Sequence, residues 1–256
     1  MTQRSEPIFN VPAVVVATIA LCVLVHVVRT YVLSTDEDIE FLLAFSFIPA
    51  RYDSSLVLDT ALPGGWAADI WTFFTYAFIH GDLTHLGVNA VWLLPFGTAV
   101  ARRFGTIRFA AFFAATAAAG AGAHLLTHPG ALIPMIGASA AISGFMAAAM
   151  RFAFQRGGPL GMFRSTDDEA YRVPAAPLAT ALRDPRIIAF LVVWFGLNIL
   201  FGSGSVDMPG LEQAVAWQAH IGGFVAGLIL FAWFDPVTAQ PDRDGNGGAD
   251  PSRMLH

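Results

Sequence analysis

Charged side chains are scarce in this chain. Asp, Glu, Lys and Arg make up only 13% of its 256 residues, whereas a soluble domain carries about 25%. Hydrophobic residues make up 55%, and the mean hydropathy is +0.60. A composition this poor in charge excludes an ordinary soluble domain and indicates that much of the chain lies in a lipid bilayer.

The chain also has only one cysteine and no lysine. Cys22 is the only cysteine, and it lies inside an apolar stretch, so the sequence indicates neither a disulfide framework nor a thiolate metal site. There is no lysine, and all 14 basic residues are arginines. These arginines form no basic stripe and the net charge is −5, so nucleic acid is not expected as a partner.

The most prominent feature is a series of six apolar stretches, each long enough to cross a hydrocarbon core of ~30 Å. They occupy approximately residues 11–33, 83–101, 107–127, 131–150, 187–203 and 213–233. The sequence therefore predicts an all-α, polytopic membrane protein whose bundle of six transmembrane helices occupies residues 1–235. The first stretch is too long for the apolar region of a signal peptide. Residues 236–256, rich in Pro, Asp and Gly, are predicted to form a disordered tail.

The distribution of arginine predicts the orientation in the membrane. If the N-terminus is cytoplasmic, the cytoplasmic segments hold every arginine except Arg29 and Arg51. Both termini are therefore expected in the cytoplasm. We predict a multi-pass protein of a bacterial plasma (inner) membrane.

Two segments lie on the outer side in this orientation. The longer, about residues 34–82, contains a dense group of aromatic residues: Trp66, Trp71, Phe73, Phe74, Tyr76 and Phe78. Such a group near the start of a helix predicts an element at the lipid headgroup level; a disordered loop is the alternative. The other, about residues 202–210, is rich in glycine and is either a mobile cover over a site or a plain connector.

Polar side chains of catalytic type lie in the second, fourth and sixth apolar stretches, where they are costly and usually mark a functional site. Ser139 lies in the fourth stretch, His220 in the sixth, and His85 and Asn89 near the start of the second. At 1.5 Å per residue, Ser139 lies roughly 12 Å and His220 roughly 10 Å along their predicted helices. All these residues then share one layer toward the outer face. A serine, an imidazole base and polar donors are the inventory of an acyl-transfer enzyme.

The residue types suggest a role for each member of this layer. A neutral imidazole can take the proton of a serine hydroxyl, so His220 is the candidate general base for Ser139. No acidic residue accompanies His220 in its apolar stretch, which predicts a Ser–His dyad. Asn89 and His85, one helical turn apart, are candidate donors to an oxyanion, with the backbone amide of Ser139 as a third. His80 is interpreted as a structural hydrogen-bonding residue.

Small residues predict that the fourth and sixth helices approach closely. Ala219, Gly223 and Gly227 are spaced four apart, a pattern that lets helix backbones meet. The fourth stretch offers small residues in return: Gly137, Ala138, Ala140, Ala141 and Gly144. His220 adjoins this face, so its imidazole could reach a hydroxyl across the interface.

Three motifs in order resemble the rhomboid family of intramembrane serine proteases. They are His80-x4-His85-x3-Asn89, Gly137-Ala138-Ser139 and Ala219-His220-x-Gly222-Gly223. The resemblance covers about residues 65–233. It implies a six-helix core with Ser139 as nucleophile and His220 as base. It further implies that His85 and Asn89 surround the oxyanion, supported by His80, Gly137, Ala138 and Ala140. The implied substrates are transmembrane segments of membrane proteins, cut through an acyl-enzyme without a cofactor.

Three residues depart from the family pattern. Ala140 stands where glycine usually follows the nucleophile, and its methyl could crowd the oxyanion pocket. Ser143 stands where many members have an aromatic ring against the catalytic imidazole. Ser143 is also a rival nucleophile, but it lies about 6 Å deeper, where water is scarcer, so Ser139 is preferred. Thr72 stands where arginine is common, a change expected to affect loop packing.

Three other functions are alternatives to the protease. His124 and His128 have the spacing of metal ligands on a helix, but no H-E-x-x-H motif accompanies them, so a zinc hydrolase and a bound metal are not expected. The paired repeats and interrupted helices of a transporter are not found. A catalytically inactive relative that binds membrane-protein clients typically lacks the serine or the histidine. This relative is the main alternative to the protease.

Overall fold

The structure is a computed structural model that describes residues 11–55, 62–160, 168–202 and 216–237. Within these ranges the regular elements are helical, and one isolated β-bridge joins Phe47 and Met135. The α-helices are α1 (Ala13–Tyr31), α2 (Thr35–Phe45), α3 (Gly65–Thr75), α4 (Leu83–Phe104), α5 (Thr106–Thr127), α6 (Ser139–Met150), α7 (Leu178–Ala181), α8 (Pro185–Gly202) and α9 (Trp217–Phe234). The predicted all-α class is confirmed.

Five of these helices are long and apolar enough to cross a membrane: α1, α4, α5, α8 and α9. They correspond to five of the six predicted spans. The sixth, α6, is apolar but has only 12 residues, a length of about 18 Å. The protein is an integral, multi-pass membrane protein built as a helical bundle.

The predicted fourth span, residues 131–150, is wrong in its first half. Residues 131–138 are not helical, and Met135 instead exchanges two backbone hydrogen bonds with Phe47, at 2.8 and 3.1 Å. Pro134 lacks an N–H for a helix, and Gly137 has a φ of +115°, which disfavours a helix for both. The predicted distances of Ser139 and His220 along their helices change accordingly. Ser139 is the first residue of α6, and His220 is the fourth of α9.

The short helix α6 is the centre of the bundle. Every residue from Ala140 to Met150 is buried, as expected for a helix that is apolar on all sides. Added side-chain carbons at Gly223 and Gly227 of α9 would overlap the backbone carbonyl oxygens of Ala140 and Gly144. This geometry confirms the predicted close approach of the two helices.

The segment between α1 and α4 is ordered in its described part. Ser34 and Glu37 form a capping box at the start of α2. The Trp71 indole donates to the carbonyl of Ala44 at 2.8 Å, which ties α3 to α2. Thr72 is fully buried and lies 2.8 Å from the Tyr52 hydroxyl. The disordered alternative is therefore wrong here, while the position of this segment at the headgroup level stays a prediction.

On the opposite side of the bundle, an ion pair connects the C-terminal ends of α4 and α9. The Arg103 guanidinium donates to both oxygens of Asp235 at 2.8 Å, and also to the carbonyls of Tyr171 and Val173. Through Tyr171 and Val173, the described segment before α7 thus contacts the end of α4. The glycine-rich segment from residue 203 and the predicted disordered tail from residue 238 lie outside the described residues.

Candidate active site

The structure brings Ser139 and His220 together at the α6–α9 interface. The Ser139 Oγ lies 2.6 Å from the His220 Nε2, within hydrogen-bonding distance. The two side chains are 81 residues apart in sequence and meet because α9 crosses α6 at backbone contact, at Gly223. A hydroxyl and an imidazole nitrogen at this distance can transfer a proton directly.

The position of Ser139 at the start of α6 has an electrostatic consequence. The first N–H bond into this helix runs from Ile142 to the carbonyl of Ala138. The N–H groups of the residues before Ile142 have no carbonyl four residues back in the helix, and they point toward its N-terminal end. That end carries the positive part of the helix dipole. A negative charge forming beside Ser139 would therefore be stabilised.

His85 and Asn89 lie on the first turns of α4, which begins at Leu83 after an Asp82 cap. The His85 ring approaches the backbone at Gly137. A side-chain carbon added there would lie 2.6 Å from the His85 Nε2 and 3.8 Å from the Ser139 Oγ. The Asn89 amide instead donates to the carbonyl of His85 at 2.9 Å.

His80 is fully buried next to this group, with its ring edge-on to His85 at 5.0 Å between centroids. Its backbone carbonyl accepts hydrogen bonds from the Arg29 guanidinium at 3.0 Å and from the His26 ring at 3.3 Å. Arg29 in turn pairs with Asp38 of α2 at 2.7 Å. His80 therefore links α1 to the start of α4, while its ring packs beside His85.

One polar residue of this site is absent from the sequence-based prediction. Asn198 of α8 is buried, and its Oδ1 lies 2.6 Å from the His220 Nδ1. Asn198 is an amide rather than an acidic partner, and it lies in the fifth apolar stretch rather than in the stretches of Ser139 and His220. A signal was present, since Asn198 is the only amide, acid or hydroxyl residue between Arg186 and Gly202, and polar groups in such helices are costly.

The departures from the family pattern have structural explanations. The Ala140 methyl faces α5 at Gly120, where an added carbon would lie 2.5 Å from it. Gly120 therefore makes room for this methyl away from the Ser139 hydroxyl. Ser143 is buried, and its hydroxyl donates to the carbonyl of Ser139 at 2.7 Å.

The histidine pair weighed as a metal site lies at the end of α5, where the His124 and His128 rings stack at 4.5 Å between centroids. Within the described ranges, no group of three or more His, Cys, Asp or Glu side chains is placed to hold a metal ion.

The chain was compared with models of known protein families. The model of the Rhomboid domain matches residues 67–235, which is well over half of the chain and contains α4 to α9 together with most of α3. The match includes all the residues predicted for the site. The chain therefore belongs to the rhomboid family, whose members are generally intramembrane serine proteases that act on membrane proteins.

Proposed function

We propose that this protein is an intramembrane serine endopeptidase that cleaves transmembrane segments of membrane proteins. The observation that carries the proposal is the 2.6 Å contact between the Ser139 Oγ and the His220 Nε2. Both residues lie in apolar helices, where such a polar pair is costly to maintain without a function. An inactive relative would have no need of this contact.

In the proposed reaction, the Ser139 Oγ attacks the scissile carbonyl carbon while its proton moves to the His220 Nε2. The tetrahedral intermediate then collapses: the C–N bond breaks and the imidazolium returns the proton to the leaving amine. An ester on Ser139 remains. A water molecule, deprotonated by the same imidazole, hydrolyses this ester and restores the hydroxyl.

The intermediate's oxyanion is stabilised by groups around the start of α6. The backbone N–H groups of its first turn and the helix dipole favour negative charge there. The His85 ring, which lies against Gly137, adds a donor from α4. The Asn89 amide adds another once it turns from the His85 carbonyl. His80, Gly137, Ala138 and Ala140 have supporting positions in this arrangement.

We also propose that both termini face the cytoplasm of a bacterial cell, with the protein in the plasma membrane. The support is the distribution of arginine: only Arg29 and Arg51 lie on the opposite side. A C-terminal fusion to alkaline phosphatase should then be inactive and a fusion to a fluorescent protein should be bright. The reverse result would overturn this orientation.

Labelling with a fluorophosphonate probe tests the proposed function, because such probes react with activated serines. In detergent micelles the wild-type protein should be labelled, and Ser139→Ala and His220→Ala should not, although both variants fold. Ser143→Ala is the matched control and should keep its labelling. Asn89→Ala should retain part of the activity, since removing one oxyanion donor typically loses ~10²–10³ in rate.

The other outcomes have distinct meanings. Labelling that persists in Ser139→Ala and disappears in Ser143→Ala would move the nucleophile one turn into α6. An unlabelled but folded wild-type protein would favour the inactive relative that binds membrane-protein clients.

A further inference from the structure

The orientation of the Asn198 side chain is determined by its two hydrogen bonds. One end of the amide lies 2.8 Å from the carbonyl of Trp194, one turn earlier in α8. A carbonyl only accepts, so this end must be the NH₂ group. The oxygen is thereby turned toward the His220 ring, 2.6 Å from its Nδ1.

This orientation decides where the proton of the neutral imidazole resides. The Asn198 oxygen can only accept, so the His220 Nδ1 must carry the proton and donate it. The Nε2 is then left with its lone pair directed at the Ser139 hydroxyl, 2.6 Å away. Only this tautomer can act as a base toward Ser139. The other tautomer would place two lone pairs face to face at the Asn198 contact.

The position of Ser143 gives this contact added weight. The Ser143 hydroxyl, one turn further along α6, is bonded within its own helix rather than to the His220 ring. The ring of His220 is held by hydrogen bonds on both nitrogens: the Ser139 hydroxyl of α6 donates to Nε2, and Nδ1–H donates to Asn198 of α8. Trp194 stacks on Phe224 of α9 at 4.7 Å between centroids, which brings α8 to the distance that the Asn198 bond requires.

We propose that Asn198 is a positioning residue that selects the Nδ1–H tautomer of His220 and orients the ring toward Ser139. Ser139, His220 and Asn198 thus form a hydrogen-bonded triad in which a neutral amide takes the place of a carboxylate. When the imidazole accepts the Ser139 proton, the Asn198 oxygen keeps its bond to Nδ1–H and stabilises the imidazolium by its dipole. This inference rests on the proposed function.

The rate of fluorophosphonate labelling tests the inference with three forms of the protein. Asn198→Leu keeps the approximate volume of the side chain and removes the acceptor. We expect its maximal inactivation rate to fall about 10- to 100-fold, a part of the ~10²–10⁴ that a general base contributes. The probe concentration at half-maximal rate should change less than about twofold, since Asn198 does not touch the probe. Asn198→Asp restores an acceptor oxygen and should recover most of the lost rate.

A spectroscopic measurement on the wild-type protein reports the tautomer of His220 directly, so this test does not depend on whether the Asn198 variants fold. With ¹⁵N-labelled histidine, the His220 signals are assigned by their absence in His220→Gln. The Nδ1 should have the chemical shift of a protonated nitrogen and the Nε2 that of an unprotonated one. In Asn198→Leu the two shifts should move toward the average of a mixed population of tautomers.

Each result separates this inference from the proposed function. A wild-type protein that is not labelled contradicts the protease itself. A labelled wild type, together with an equally fast Asn198→Leu, leaves the protease intact and overturns the role of Asn198. A protonated Nε2 in the wild type would overturn it too. A slow Asn198→Leu that Asn198→Asp does not improve would indicate a merely structural contact.

Discussion

Helices α8 and α9 are both apolar, both have 18 residues, and each contributes one polar residue to the site. They differ in how they are held. α9 lies in backbone contact with α6 at Gly223 and Gly227. In α8 only Ile187, Trp194 and Asn198 are buried, so the helix touches the bundle along one narrow stripe.

The ends of the two helices show the same contrast. Asp235, at the end of α9, pairs with Arg103, and their side chains are 8% and 0% exposed. Asp184, just before α8, pairs with Arg186, and there the side chains are 18% and 47% exposed. The base His220 therefore sits on a helix that is held along α6 and at its C-terminal end. Asn198, the residue that orients His220, sits on a helix that is loosely held. Substitutions in α9 should therefore lower the stability of the bundle more than substitutions in α8.

The largest effect should come from adding one carbon to the α9 interface. In Gly223→Ala the new methyl would overlap the Ala140 carbonyl oxygen, a backbone atom that cannot rotate away. Overpacking a core costs about 1–3 kcal/mol and occasionally more, and this site should be at or above the upper end. We expect a strongly lowered midpoint of thermal unfolding in detergent, with loss of fluorophosphonate labelling.

The matched control for this change lies on α8. A carbon added at Gly196 has no neighbour within 4 Å, and alanine is favoured over glycine in a helix by about 0.8–1.0 kcal/mol. Gly196→Ala should therefore unfold at the wild-type midpoint or above it. Equal destabilisation by the two changes would contradict the contrast between the helices.

A smaller loss of stability should follow when the ion pair at the end of α9 is broken. Asp235→Asn leaves the Arg103 charge buried without its partner, although two backbone carbonyls still accept from it. Breaking a buried pair costs about 3–5 kcal/mol where the remaining charge has no other partner. Here the two carbonyl bonds remain, so the loss should lie below that range and below the loss in Gly223→Ala. The unfolding midpoint in detergent should fall clearly.

Asp184→Asn makes the same chemical change at the solvent-exposed pair before α8. Exposed pairs contribute little, so its midpoint should stay close to that of the wild type. If Asp184→Asn were as destabilising as Asp235→Asn, the beginning of α8 would be held as firmly as the end of α9.

The contrast between the helices also explains which parts of the site could be predicted from the sequence. The contact of α9 with α6 follows from a local regularity, small residues spaced four apart, and this regularity brings His220 to Ser139. Hydropathy alone could not locate the start of α6, because an extended apolar segment has the same mean hydropathy as an apolar helix. The breakers Pro134 and Gly137 were the available signal, and they place Ser139 at the helix N-terminus.

Asn198 was missed for a different physical reason. Its partner His220 lies 22 residues away on another helix, and α8 has no small-residue pattern to indicate which face meets α9. A lone amide in an apolar helix signals that a partner exists without identifying it. Finding that partner required the packing of Trp194 on Phe224, which is a property of the folded bundle.

The smallest effect should come from weakening this packing. Trp194→Leu keeps an apolar side chain at the α8–α9 contact but removes a ring stack worth about 0.5–1.5 kcal/mol. Because α8 contributes little to the bundle's stability, the unfolding midpoint should change only slightly. The Asn198 oxygen should nevertheless be displaced from the His220 ring, so the labelling rate should fall several-fold. In the control Phe190→Leu, the lost ring contact is with Phe96 of α4, about 12 Å along α8 from Asn198, and labelling should stay at the wild-type rate. A lower unfolding midpoint with an unchanged labelling rate in Trp194→Leu would contradict this comparison, because α8 would then stabilise the bundle without orienting His220.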